Sequence, residues 1–245
     1  MIVCGIYVWA FGFQTALTVI ARYQYRGIPG AAKTPVSLSD LSVSSVPHQK
    51  VSYFGYEFEI PWDDVDEQKS RTVGTIHVTA FQSGNAFWFS TFPPREFVKS
   101  VVEIAKVTPE QFRQIYGDEV FGSDYGFMCE MLQITPRDFS PFMSRGRAAA
   151  SIELLLVKAT SIPEAGSGIL SIHIGDRQGF QFGNPLSRPP EIRDDLYSDD
   201  SGVELLFFQH GGTSTGLSQG EINRVLQSVH KVPAPSLASN LNSDK

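Results

Sequence analysis

Residues 75–92, "TIHVTAFQSGNAFWFSTF", contain two runs of apolar residues on either side of Ser83-Gly84-Asn85. Short runs rich in β-branched and aromatic residues are typical of strands. Serine, glycine and asparagine are common in tight turns, where glycine and asparagine tolerate a positive φ. The stretch therefore predicts an antiparallel β-hairpin.

Further strand patterns lie on both sides of this hairpin. In residues 51–62, "VSYFGYEFEIPW", Tyr56, Phe58 and Ile60 alternate with glutamates, which indicates a half-buried strand. Residues 168–184 predict a second hairpin with its turn at 175–179, and "VELLFFQH" at 203–210 predicts another strand. The strands thus fall into an early and a late group.

Helix signals separate and follow the two groups of strands. Thr108-Pro109 and Thr135-Pro136 each combine an N-cap residue with proline at the first helical position. Residues 144–162 predict a longer helix, although "SIELLLV" within it also fits a buried strand, and Ser218 with Glu221 forms a capping box. Because helices and strands do not alternate regularly, we predict an α+β domain over residues 51–231, with a mainly antiparallel sheet covered by helices mainly on one face.

The first 21 residues, "MIVCGIYVWAFGFQTALTVIA", carry no charged side chain, and Arg22 and Arg26 follow them. At about 1.5 Å per residue a helix of this length spans about 30 Å, the thickness of the bilayer core. We predict a transmembrane helix over 1–22 and a single-pass membrane protein; a cleaved export signal and a core helix are the alternatives. The charge bias places the domain in the cytoplasm, and a truncated N-terminus would reverse this orientation.

Two segments have the composition of loops. Residues 23–50 are rich in serine, proline and small residues and are predicted to form a flexible linker, with an edge strand near Val36 and Leu38 as the alternative. Residues 232–245 have the same character and are predicted to be a disordered tail.

The charge and the cysteine content of the chain limit which partners and cofactors we expect. The formal net charge is -6 and the chain has no cluster of lysine and arginine, which argues against nucleic acid as a partner. Cys4 and Cys129 are the two cysteines, and their spacing suggests neither a disulfide nor a zinc site. His77 and His173 would form a metal or acid/base pair only if their strands were neighbours. We therefore expect no cofactor and no metal.

The sequence Gly212-Thr213-Ser214-Thr215-Gly216 has the GxSxG form of a nucleophile elbow, between a predicted strand and a predicted helix. However, the helix cap at Ser218 comes later than an elbow requires. The chain also offers only His230 and Asp244 downstream as base and acid. A membrane-tethered serine hydrolase that uses Ser214 and His230 is therefore the alternative function.

Residues 184–202 are predicted to form a loop longer than most connections, and long loops are often functional. Arg188, Arg193, Tyr197 and Asp199 make it a candidate recognition surface for a protein. Our preferred hypothesis is a membrane-anchored, non-enzymatic domain that binds a protein or ligand at a bilayer surface. Its expected partners are the membrane, through residues 1–22, and another protein.

Overall fold

The computed structural model describes most of the chain. The described residues are 12, 15–16, 18–39, 42–46, 48–104, 108–162, 168–183, 185, 191–198, 202–211 and 216–232.

The described residues form eleven strands. They are β1 (Pro35–Ser37), β2 (Gln49–Tyr53), β3 (Tyr56–Ile60), β4 (Arg71–Val73), β5 (Ile76–Ala80), β6 (Ala86–Phe92), β7 (Ile169–Ile174), β8 (Arg177–Phe182), β9 (Glu191–Ser198), β10 (Gly202–Gln209) and β11 (His230–Lys231). Eight of them form one sheet in the order β1-β7-β8-β9-β10-β6-β5-β4, in which only the β1–β7 pair is parallel. The other three form a small antiparallel sheet in the order β11-β3-β2.

Six α-helices have bounds that the structure defines. They are α1 (Glu96–Ile104), α2 (Pro109–Tyr116), α3 (Asp118–Gly122), α4 (Asp124–Gln133), α5 (Arg145–Ser161) and α6 (Gln219–Ser228). Residues of α1, α2, α4 and α5 form one hydrophobic core with one face of the large sheet. Helix α6 and the small sheet form a second core with the opposite face. The prediction of an α+β domain with a mainly antiparallel sheet is confirmed.

Both predicted hairpins are present. Strands β5 and β6 pair from Ile76↔Ser90 to Ala80↔Ala86, and Gly84 in their connection has φ +84°. Strands β7 and β8 are joined by the two-residue turn Gly175-Asp176, in which Gly175 has φ +62°. A left-handed conformation at these turn positions favours glycine. The glycines therefore allowed both turns to be predicted from the sequence.

The helix signals are confirmed in three places and wrong in one. Thr108 and Ser218 each form a complete capping box, and residues 145–161 form α5 rather than a strand. Thr135-Pro136 starts only a turn, because Asp138 Oδ2 accepts hydrogen bonds from both the backbone N–H and the hydroxyl of Thr135. Pro141 follows within a few residues, and a proline there disfavours continuation of a helix.

The predicted transmembrane helix over 1–22 is wrong, and so is the single-pass membrane localisation that depended on it. Among the described residues, no helix is long and apolar enough to cross a bilayer. Ile20–Gln24 form a short π-helix in which Ala21 is fully buried in the first core, and Arg22 Nη2 donates a hydrogen bond to the backbone oxygen of Phe139 at 3.0 Å. The end of the apolar run thus contacts protein. Residues 1–11 lie outside the described residues.

Parts of the segment predicted as a linker, residues 23–50, contact the domain. Strand β1 adds a parallel edge to the large sheet, and the next residue, Leu38, donates its backbone N–H to Ser171 O at 3.0 Å. Further on, Ser44 N donates to Gly220 O at 2.9 Å, and Asn223 Nδ2 donates to Ser42 O at 2.8 Å. The predicted tail lies outside the described residues from residue 233 onward.

Candidate binding surface

Part of the large sheet has an apolar face that the helices do not fully cover. The strand pairing places Arg71, Val78, Trp88 and Phe207 in one row across β4, β5, β6 and β10. Cross-strand neighbours in a row project to the same side of a sheet. All four side chains therefore lie on the face that packs against α1, α4 and α5. Val73 and Ile76 are paired in the adjacent row on that face.

We call Val73, Ile76, Val78, Trp88 and Phe207 the apolar face. The exposed fractions are 61 % for Val73, 44 % for Ile76 and 40 % for Trp88. The rings of Trp88 and Phe207 are stacked, with centroids 4.9 Å apart. Contiguous exposed apolar side chains, as opposed to scattered ones, are characteristic of interaction sites.

Arg71 lies at the open edge of this face, on strand β4. Its side chain is exposed, and within the described part of the chain it forms no ion pair. An unpaired guanidinium beside apolar side chains can bind a carboxylate of a partner with two parallel hydrogen bonds.

A groove continues from the apolar face towards the helices. We call it the apolar groove; it has a volume of 730 Å³ and runs between β5, β6 and β10 on one side and α1, α4 and α5 on the other. Its walls include Phe97, Met128, Met131, Val157 and Leu205.

One polar side chain, that of Ser90, is buried in the wall of the apolar groove. Ser90 is 7 % exposed, and its Oγ has no hydrogen-bond partner among the described residues. A buried hydroxyl without a partner is rare in folded proteins, because leaving it unsatisfied is costly. The groove therefore contains a hydrogen-bonding group that the described fold does not use.

A second, polar cleft of 840 Å³ lies on the opposite face of the sheet, near the end of α6. Arg177 in its wall donates to Leu226 O at 3.1 Å, and Glu204 is buried there. His230 also lines it, with Nδ1 2.8 Å from Ser228 O and Nε2 3.3 Å from Glu57 Oε2. These contacts hold the side chains of Arg177 and His230 in place.

The structure does not test the hydrolase hypothesis. Ser214 lies outside the described residues, so its distance to His230 is undefined and the hydrolase stays a prediction. Hydrogen bonds hold the residues on either side of the GxSxG sequence. Gly211 N donates to Asn85 Oδ1 at 2.9 Å, and Leu217 N donates to His210 Nε2 at 3.1 Å. Burial lowers the pKa of His210, which fits an imidazole that accepts a backbone hydrogen bond.

His77 and His173 do not form the pair that neighbouring strands would have allowed. His77 lies on β5 and His173 on β7, and four strands of the sheet separate them. His77 instead stacks on Tyr53, with ring centroids 3.7 Å apart, and its Nδ1 lies 2.8 Å from Thr72 Oγ1. Among the described residues, no group of histidine, cysteine, aspartate and glutamate is arranged to hold a metal ion.

The predicted recognition loop is partly a strand. Glu191–Ser198 form β9 in the middle of the sheet, so the loop assignment is wrong there, and Arg188 and Asp199 lie outside the described residues. Arg193 Nε and Nη2 donate to the carboxylate of buried Asp195 at 2.7 and 2.6 Å, and Arg193 also lines the apolar groove. The recognition role of these residues stays a prediction.

Tyr197 is buried within the first core and packs against the rings of Tyr125, Phe180 and Phe97. Burial, together with the charge of Asp195, raises its pKa well above the usual value. Its phenol therefore stays protonated at neutral pH and contributes to the core.

Two further ionisable residues are buried without any signal for it in the sequence. Asp194 lies on the α6 side of β9 opposite Gln181, and burial followed by the charge of Asp195 raises its pKa well above the usual value. Lys158 on α5 donates from Nζ to Leu132 O and Ile134 O, at 2.7 Å each. These carbonyls lie at the C-terminal end of α4, so the lysine caps that helix.

No protein-family model matches the chain, and no curated protein matches its sequence. The functional argument therefore rests on the geometry of these surfaces.

Proposed function

We propose that the chain is a protein-binding domain rather than an enzyme, and that its apolar face binds an amphipathic segment of another protein. The observation that supports the proposal is the exposed stack of Trp88 on Phe207, flanked by exposed Ile76 and Val73. Tryptophan and arginine are enriched among the residues that contribute most to protein–protein binding. The face combines both, because Arg71 lies at its edge.

The chemistry of the face defines the partner segment. Apolar side chains would cover Trp88, Phe207 and Ile76, and a carboxylate on the same segment would pair with Arg71. Such a segment buries its apolar side and keeps its polar side in water, as amphipathic helices and strands do in peptide recognition.

The expected contribution of Trp88 can be calculated from its exposure. A side chain of this size buries up to about 250 Å², so the exposed 40 % corresponds to about 100 Å². At about 25 cal/mol per Å², covering that area contributes about 2.5 kcal/mol, or roughly 50-fold in affinity.

The experiment selects peptides from a random display library on the wild-type chain and measures their affinity for two variants. Trp88→Glu places a charge in the centre of the apolar face and should weaken the selected peptides by about 50-fold or more. Phe142→Glu is the matched control, because Phe142 is 82 % exposed and lies outside the face. We expect enrichment of apolar residues next to aspartate or glutamate.

Substitution Arg71→Ala should lower the affinity of those selected peptides that carry the acidic residue. Peptides that bind Trp88→Glu as well as wild type, or that lose binding to Phe142→Glu instead, would contradict the proposal.

A further inference from the structure

The apolar groove has the dimensions of a small-molecule site. Its 730 Å³ lies within the range of about 300–1,000 Å³ that is usual for ligand pockets. Two of its wall residues, Met128 and Met131, are buried methionines of α4. Methionine side chains are flexible and polarisable, which suits a wall that adapts to apolar ligands.

The unpartnered Oγ of Ser90 gives this groove a polar point of attachment. In its row across the sheet, Ser90 lies between Ile76 of β5 and Leu205 of β10, so its immediate neighbours offer apolar side chains. A ligand atom that donates or accepts a hydrogen bond would supply the missing partner.

We propose that the apolar groove binds a small neutral amphiphile, with an aliphatic or aryl body and one hydroxyl-type group that hydrogen-bonds Ser90 Oγ. A neutral rather than anionic ligand follows from the two charged residues of the groove wall, because Glu191 would repel an anion and Arg193 is already paired. The guanidinium of Arg193 pairs through two nitrogens with Asp195, so the pair presents little net charge to a ligand. An anionic head group would have to compete with the Asp195 carboxylate for Arg193.

This inference does not rest on the proposed protein binding. It depends on the groove and on Ser90, whereas the protein-binding proposal depends on the exposed side of Trp88, Val73 and Ile76. The two surfaces adjoin each other, because Ile76, Trp88 and Phe207 of the apolar face also line the groove. Binding of a small amphiphile without peptide binding, or the reverse, would separate the two proposals.

The test uses two probes that differ by one hydroxyl group, 4-butylphenol and butylbenzene, titrated into the full chain by calorimetry. We expect saturable binding of both probes, with 4-butylphenol preferred. The preference should fall about three- to tenfold in Ser90→Ala, the value of one net hydrogen bond. Because the Ser90 hydroxyl has no partner in the described fold, its removal should not destabilise the protein.

Ser100→Ala is the matched control. Ser100 lines the same groove, but its Oγ already donates to Glu96 O at 3.0 Å, so its removal should leave the preference for 4-butylphenol unchanged. The inference is overturned if wild type shows no saturable binding. It is also overturned if Ser90→Ala keeps the full preference, or if Ser100→Ala loses it equally.

A second readout needs no variant at position 90. With 13C-methyl-labelled methionine, 4-butylphenol should shift the methyl resonances of Met128 and Met131, which line the groove, and leave that of Met143 unchanged. Met143 lies in the loop before α5, away from the groove wall. Equal shifts at Met143, or no shift at the two groove methionines, would place the probe elsewhere and overturn the inference.

Discussion

Because the ammonium group of Lys158 is buried, the free energy of unfolding of this domain should rise as the pH becomes alkaline. Lys158 is fully buried, and its Nζ donates to Leu132 O and Ile134 O. Burial lowers its pKa from 10.5 to about 8, against a smaller opposing effect of Asp138. Below pH 8 the lysine is charged in both the folded and unfolded states, so folding carries the full cost of burying the charge.

Between pH 8 and 10.5 the unfolded state binds more protons than the folded state. The free energy of unfolding therefore rises with pH in that window. Each pKa unit corresponds to about 1.4 kcal/mol, so the shift from 10.5 to about 8 corresponds to about 3.5 kcal/mol in total. Substitution Lys158→Met removes the titrating group and should remove this rise.

Urea unfolding, followed by circular dichroism at a series of pH values from 7 to 10, measures the effect. The free energy of unfolding of wild type minus that of Lys158→Met should increase by about 2–3 kcal/mol across this range. Taking the difference cancels the contribution of the tyrosines with raised pKa, which are present in both proteins: Tyr116, Tyr125 and Tyr197.

Lys99→Met is the control, because the ammonium of Lys99 is exposed on α1 and pairs with Glu96. Its pH curve should run parallel to that of wild type. If the curves of wild type and Lys158→Met stay parallel within about 0.5 kcal/mol from pH 7 to 10, the reasoning on the buried charge is wrong.

Two further predictions concern the central sheet and the last helix, and urea unfolding at pH 7 checks both. Gly179→Ala should destabilise the domain by about 3 kcal/mol or more, because the added Cβ would overlap the backbone oxygen of Asp195 on the neighbouring strand. Gly146→Ala, where the added carbon meets open space at the start of α5, should be neutral or slightly stabilising, and an equal loss in both variants would contradict the steric argument. Ser218→Ala removes the capping box with Glu221 and should cost about 1 kcal/mol; no change would show that the cap contributes nothing.

The features that were predictable from sequence are local ones. The turn at Gly175-Asp176 and the caps at Thr108 and Ser218 depend on residues within a few positions of each other. The backbone conformation and the hydrogen bonds of such motifs are determined by the motif itself. Local chemistry therefore located the hairpins and the helix starts.

Strand β9 was missed because its charges look like those of a loop. Its sequence "EIRDDLYS" contains four charged residues in eight positions. Arg193 and Asp195 share one side of the strand and pair with each other, and Asp194 on the other side has a raised pKa. The ion pair offsets the charges of Arg193 and Asp195, and burial raises the pKa of Asp194; both effects depend on the folded environment.

The N-terminal error has a similar origin. An uncharged apolar run gives the same sequence signal whether lipid or protein covers it. Here Ala21 is buried in the first core and Arg22 contacts Phe139, which is 117 residues away in the chain. A contact over that separation leaves no trace in the local pattern.

The apolar residues of β6 are evident in the sequence, but the sequence does not show which of them are exposed. In β6, "AFWFSTF", Phe87 and Phe89 project into the second core, while Trp88 projects to the opposite side. A strand that is apolar on both sides normally indicates that both are covered. On this strand the helices cover the side of Trp88 only in part, which depends on where α1, α4 and α5 pack. A strand with a solvated face would normally carry a polar residue at the position of Trp88, so its exposed ring supports the proposal that a partner binds this face.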